Sequence, residues 1–250
     1  MNDAVPIACD VHTHTVHSGH AFSTVNELAN AAAEAGLNLI AITDHGPSMD
    51  GAAHAGYFDM VGRLPANISG VRLLMGIEAN IITSDGGVDL DAEMLSTQQI
   101  VLAGLHERTP FACGSVIENT RAIRAAMESG TVHVITHPYR PSFPVDVEEL
   151  ARTAGDTGVC LEINVSLLRR AIRPDRSPAR LEVLNQTRRM LDEMVRVGAF
   201  CTVASDAHHS SEVYEFPTNS REVIEALDVP VSMVVNRSQT TLFAHLKAIG

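Results

Sequence analysis

Seven histidines and two carboxylates carry most of the chemistry this chain could do. His12-Thr13-His14 and Asp206-Ala207-His208 share an i, i+2 spacing. On an extended chain, side chains alternate with period two, so both members of such a pair face one side and can chelate one ion. His45, Glu78, His106 and His137 each close an apolar run. A carboxylate in Glu78's position is costly to bury unpaired, and a cation is its simplest partner. Taken singly, each signal is ambiguous. A lone His-x-His is as often a surface or core pair, His20 and His45 suit turns, and His106 and His137 suit hydrogen-bonded core histidines. Together, His12, His14, His20, His45, His106, His137, His208, Glu78 and Asp206 are nine donors, where one zinc takes about four. They suit two or three ions with a bridging carboxylate. Imidazole and carboxylate without thiolate point to zinc first, with manganese or iron as alternatives. Clustered divalent ions suit phosphoryl transfer, because they supply a hydroxide near neutral pH and clamp the phosphate oxygens.

Such a set needs a scaffold that gathers strand ends at one place. Short apolar runs at 7–11, 37–42, 72–77, 100–105, 132–136, 159–163 and 200–204 read as strands. Most end in one of the residues named above. Between them lie helical stretches: 24–35, opened by the Thr24-x-x-Glu27 capping box and closed by Gly36; 118–129; 146–154; and 178–197, stopped by Gly198. Residues 221–226 and 240–249 read as closing helices, and 84–87 as a hairpin turn. Continuous apolar strands alternating with helices indicate a parallel sheet covered on both faces. Seven of them predict an α/β fold, a distorted TIM-like (β/α)7 barrel, with the metal site at the C-terminal ends of the strands.

The composition narrows the field further. The chain has 250 residues, of which 45% are hydrophobic and 19% charged, so it reads as one globular catalytic domain spanning 1–250. No apolar run reaches the length of a membrane span and no basic-then-apolar leader opens the chain, so a cytoplasmic protein is expected. The formal net charge of −12 disfavours general nucleic-acid binding. Cys9, Cys113, Cys160 and Cys201 are scattered, without a C-x-x-C pair. Lys247 is the one lysine; this leaves no Schiff-base or P-loop lysine, and none to carbamylate into a metal bridge. That count weighs against a binuclear amidohydrolase, the main rival on such a barrel.

Six motifs in order, Asp10-Val11-His12-Thr13-His14, Thr43-Asp44-His45-Gly46-Pro47, Gly76-Ile77-Glu78-Ala79-Asn80, Ala103-Gly104-Leu105-His106-Glu107, Thr136-His137-Pro138 and Ser205-Asp206-Ala207-His208, resemble the polymerase and histidinol phosphatase (PHP) superfamily. The likeness is strongest to its small stand-alone branch of trinuclear-metal phosphatases and spans about residues 8–240. The resemblance implies three divalent ions per chain. His12, His14, Glu78 and Asp206 would hold one; Glu78, His106 and His137 a second, with Glu78 bridging; and His20, His45 and His208 the third. His17 is an extra histidine in the loop that carries His20.

The resulting expectation is hydrolysis of a small phosphate monoester by a metal-bridged hydroxide. Glu78, Asp206 and His208 are the catalytic candidates. Asp206 would be a ligand that also orients or deprotonates the water, and His208 would assist the leaving group. Arg140, Arg169 and Arg170 are expected to bind the substrate, with Arg108 a weaker candidate. Asn164 is a further substrate-binding or ligand-orienting candidate, as are Ser166 and Asn80 for orientation. His54, His133, His209 and His245 read as structural. A nucleotide 3′-phosphatase or exonuclease is the alternative within the same chemistry. Membrane binding is not expected, and a homo-oligomer is left open.

Overall fold

The computed structural model describes residues 7–174 and 177–249. The apolar runs become strands buried on both faces: β1 (Cys9–Asp10), β2 (Leu39–Ile42), β4 (Val71–Asn80), β5 (Ile100–Gly104), β6 (Val134–Ile135), β7 (Cys160–Asn164) and β8 (Cys201–Ala204). They pair in the order β1-β2-β4-β5-β6-β7-β8, every pair parallel, while the short β3 (Asn67–Ile68) lies antiparallel on β4. Helices α1 (Val25–Glu34), α2 (Ala92–Thr97), α3 (Val116–Glu128), α4 (Val147–Thr157), α5 (Val165–Ala171), α6 (Pro178–Val197), α7 (Ser210–Leu227) and α8 (Gln239–Ile249) fill the connections. The result is the nearly closed seven-stranded barrel expected from the sequence. No helix among the described residues is long and apolar enough to cross a membrane.

Closure rests on few contacts. Beyond the strand ends, Thr13 bridges Ala207 in parallel, with His14 N–H donating to Ala207 O at 2.8 Å and Asp206 N–H to His12 O at 2.9 Å. Lower down, β1 and β8 do not pair, and the buried Asn236 amide spans them. Its Nδ2 donates to Cys9 O (2.7 Å) and Val203 O (2.6 Å), and its Oδ1 accepts from Val203 N–H (3.0 Å). Asn236→Ala leaves three buried backbone groups unpaired, so unfolding in urea should show a loss of about 2 kcal/mol. An unchanged midpoint would mean that the seam holds without it.

Several helix ends differ from the sequence expectation. Helix α3 begins at Val116 because Ser115 and Glu118 form a capping box of the kind seen at Thr24 and Glu27. The stretch 221–226 is the tail of α7, which runs from Ser210 with Pro217 inside it. One lost N–H does not end a helix whose inner face, with Val213, Phe216 and Val223, is buried. Helix α5 starts directly at the end of β7, where the Asn164 side chain accepts from Leu167 N–H at 2.9 Å. Part of the segment 169–177, residues 175 and 176, lies outside the described residues.

Candidate metal centre

The strand ends bring the nine candidate ligands to one place. Glu78, fully buried near the end of β4, is the hub. Its Oε2 lies 2.8 Å from His45 Nδ1, 3.3 Å from His12 Nε2 and 3.4 Å from His14 Nε2. Its Oε1 lies 3.1 Å from His106 Nε2 and 3.2 Å from His137 Nε2. Asp206 Oδ1 lies 3.3 Å from His14 Nε2 and 3.6 Å from His12 Nε2. Three sets of ligand atoms each fall within 4.8 Å of one another: His12, His14 and Asp206; His14, His45 and His208; and His45, Glu78 and His106. The His20 ring stacks on His45 and His208 at centroid distances of 5.0 and 4.9 Å. His17 turns away and packs its ring on Tyr57 at 4.6 Å.

The hydrogen bonds behind the rings decide which nitrogens face the cluster. His12 Nδ1 sits 2.6 Å from Glu162 Oε1. A carboxylate only accepts, so the proton is on Nδ1 and Nε2 points inward. His14 Nδ1 sits 2.9 Å from Ser18 Oγ, whose own proton goes to Asp44 Oδ1 at 2.6 Å. His14 Nδ1 is therefore also a donor, and its Nε2 faces His12 Nε2 at 3.0 Å. Two lone pairs cannot share that gap, so a proton or a cation must stand between them. Glu78 Oε2 and His45 Nδ1 face each other at 2.8 Å outside hydrogen-bond geometry, and His106 Nδ1 is likewise buried without a hydrogen bond. These orphaned atoms and the imidazole–carboxylate donor set fit divalent ions.

The electrostatics agree. Burial disfavours charge on His12, yet Glu78, Glu162 and Asp206 raise its pKa well above the ordinary value. Burial likewise opposes ionised Glu78 and Asp206, but the surrounding histidines, His12 foremost, hold both carboxyls well below their usual range. Burial and then the neighbouring His45 push His14 well down, and the same two causes lower exposed His20. The pocket favours positive charge beside Glu78 and Asp206, which His12 supplies as an imidazolium and a bound cation would supply in its place.

Three carboxylates that hold the site were not singled out from the sequence. Glu162, inside β7, also accepts from His137 N–H at 2.8 Å and Asn164 Nδ2 at 3.1 Å. Asp44 accepts from Thr15 N–H (2.7 Å), Thr15 Oγ1 (2.8 Å) and Tyr57 OH (2.8 Å) besides Ser18. Asp89 accepts from Ser48 N–H and Asn80 N–H, each at 2.8 Å, and fixes the loop after His45. A Cβ at position 46 would collide with the Asp89 carboxylate, so that approach needs Gly46. The backbones of His137 (φ 30°) and Asp206 (φ 56°) lie in the left-handed region, a strain typical of residues held for function.

Above the cluster opens a cavity of about 580 Å3, lined at its rim by His20, Asp50, Arg108, Arg140, Asn164 and Arg170. Arg140 Nη2 lies 3.5 Å from Glu107 Oε2. Arg169 lines an adjoining chamber instead and pairs with Glu215 at 3.0 Å. Asn164 Nδ2 reaches Asp206 Oδ2 at 3.1 Å. The remaining histidines lie outside the cluster. His133 Nδ1 accepts from Val101 N–H, His209 caps α7, His54 precedes the 3-10 segment Ala55–Arg63, and His245 lies 2.9 Å from Gly158 O.

Because His20 touches the cluster and His17 does not, replacing them should have different effects. His20→Ala is expected to cut activity about tenfold, and His17→Ala less than about twofold, within the range of ordinary surface changes. Steady-state rates on an aryl phosphate check this. The reverse order would move the loop ligand to His17.

A parallel barrel with an imidazole–carboxylate cluster on its C-terminal rim has the donor set of a divalent-metal site. A family model described as the PHP domain matches residues 10–117. A probable phosphatase of Shewanella piezotolerans is 38% identical over 242 residues, covering 96% of this chain and 94% of that protein. One of Tolumonas auensis is 39% identical over 243 residues, with the same coverage. The chain belongs to the PHP family, among relatives named as probable phosphatases. Its fold is also that of the Lactococcus lactis histidinol phosphate phosphatase solved with zinc, L-histidinol and phosphate. That match has TM-score 0.59, 17% identity, and coverage of 87% of this chain and 94% of the other. A crystal structure of an amidohydrolase shares the fold at TM-score 0.54 and 12% identity, covering 97% of this chain and 74% of the other.

Proposed function

We propose that this chain hydrolyses a small phosphate monoester, using three divalent ions. His12, His14, Glu78 and Asp206 would hold one ion, Glu78, His106 and His137 a second, and His20, His45 and His208 the third. The observation that carries this reading is Glu78, whose two buried oxygens each face a different set of imidazoles on the floor of an arginine-rimmed cavity. Divalent ions held there supply Lewis acidity and an acidified water, which is what phosphoryl transfer requires.

The chain's own groups supply the rest. Arg140, only loosely held by Glu107, is free to swing onto the phosphate oxygens, where a guanidinium forms charge-assisted bonds. Asn164 occupies Asp206 Oδ2, which leaves Oδ1 turned to the cluster as the atom to accept the attacking water's proton. His208 Nδ1 is engaged by Asp206 O at 3.0 Å. One ring nitrogen remains, enough for a ligand or an acid but not both. Its ring contacts, at 4.4 Å with His14 and 4.9 Å with His20, favour the ligand. The leaving-group proton then comes from solvent in the open cavity.

The test is elemental analysis of protein purified without chelator, followed by phosphate release from an aryl phosphate. About three ions per chain with phosphate release supports the reading. Two ions would remove the His20, His45 and His208 site. Fully metallated protein that releases ammonia from amides and no phosphate would overturn the function.

A further inference from the structure

The cavity over the cluster does not end at its rim. Ser166 and Arg170 of α5 line both it and a second chamber of about 950 Å3 between α5 and α7. Each chamber alone has the size of a small-molecule site. A phosphate and a short alcohol would leave the second one unused.

Among the described residues, the second chamber is lined by charges of both signs. Arg169, Arg170, Arg173 and Arg180 line it against Glu212, Glu215 and Glu222. Glu212 is engaged by the backbone N–H groups of His208 (2.7 Å) and His209 (3.2 Å). Glu215 is engaged by Arg169 at 3.0 Å and by Asn219 Nδ2 at 3.3 Å. Among the described residues, the Arg170 guanidinium is engaged by no carboxylate and no hydrogen bond. It stands exposed at the junction, where a guanidinium that no carboxylate engages draws an incoming anion.

We infer that the substrate's alcohol part carries a second anionic group, and that Arg170 binds this group at the passage between the chambers. The inference rests on the phosphatase reading and deepens it: the substrate class becomes phosphate monoesters with a distal phosphate or carboxylate. Arg170 is a specificity-determining residue in this scheme, remote from the reacting phosphorus.

Phosphonates test this without turnover, since their P–C bond survives. Metal-loaded protein would be titrated calorimetrically with alkylphosphonates, ω-phosphonocarboxylates and α,ω-alkanediphosphonates of matched short and longer chains. The double-ended compounds are expected to bind about tenfold tighter than the single-ended ones, as a charge-assisted bond allows. Arg170→Gln should shrink that advantage to the twofold statistical factor of a symmetric diphosphonate. An advantage shared by both double-ended series means that any distal anion is read; one confined to the diphosphonates identifies a second phosphate. Equal binding of all series by the wild type, or an advantage that survives Arg170→Gln, would overturn the inference while leaving the phosphatase reading intact. No binding of any phosphonate, together with no phosphate release from an aryl phosphate, would remove both.

Discussion

Glu78→Ala is expected to lose two metal ions together and to reduce phosphate release by at least about a thousandfold, the scale set by removing a main source of transition-state charge stabilisation. The expectation follows from the two faces of one carboxylate. Oε2 looks toward His12, His14 and His45, and Oε1 toward His106 and His137. No other carboxylate contacts His106 or His137 through its side chain among the described ion pairs, so nothing nearby takes over. Glu78→Gln is the sharper variant because it keeps the volume. Its amide can accept on one side only and must point N–H groups at imidazole nitrogens on the other. Metal content per chain and circular dichroism, measured on the same samples, separate ion loss from unfolding. A folded Glu78→Ala protein that gives up a single ion would break the bridging assignment.

Much of this was legible in the sequence because the signal is periodic. A polar residue that closes an apolar run in a parallel barrel must land on the catalytic rim, and His12, His14, His45, His106, His137, Asp206 and His208 all do so. The parts that stayed hidden have a different logic. Glu162 sits inside an apolar strand, where its cost of burial argues for a partner as strongly as it does at Glu78. It is absent from the ligand motifs because its partners are the backs of ligands. Asp44 hides behind His45 in the same way, and its contact to Tyr57 comes from a loop without periodicity. For the arginines, proximity in sequence to a strand end says nothing about rotation around a helix. Adjacent on α5, Arg170 reaches the cavity, whereas Arg169 turns to Glu215 on α7. Tertiary pairing, not local spacing, sorts them.

Glu162→Gln should lower metal affinity by about tenfold to a hundredfold while leaving every ligand in place, as loss of a ligand-orienting carboxylate does. Three donors converge on Glu162: His12 Nδ1 on Oε1, and His137 N–H and Asn164 Nδ2 on Oε2. A glutamine offers one oxygen and one NH2 group. If its oxygen stays with His137 and Asn164, its NH2 faces His12 Nδ1. The proton of His12 must then move to Nε2, the nitrogen that looks into the cluster. If the oxygen turns to His12, the His137 backbone N–H loses its acceptor at a residue already held at φ 30°. Either way the site is less well prepared for a cation, and charge on His12 loses one of the carboxylates that favour it. Chelator competition gives the affinity, and 15N imidazole shifts of the metal-free protein report which His12 nitrogen carries the proton. An unchanged affinity with the proton still on Nδ1 would show that ring packing alone orients His12 and that Glu162 is dispensable.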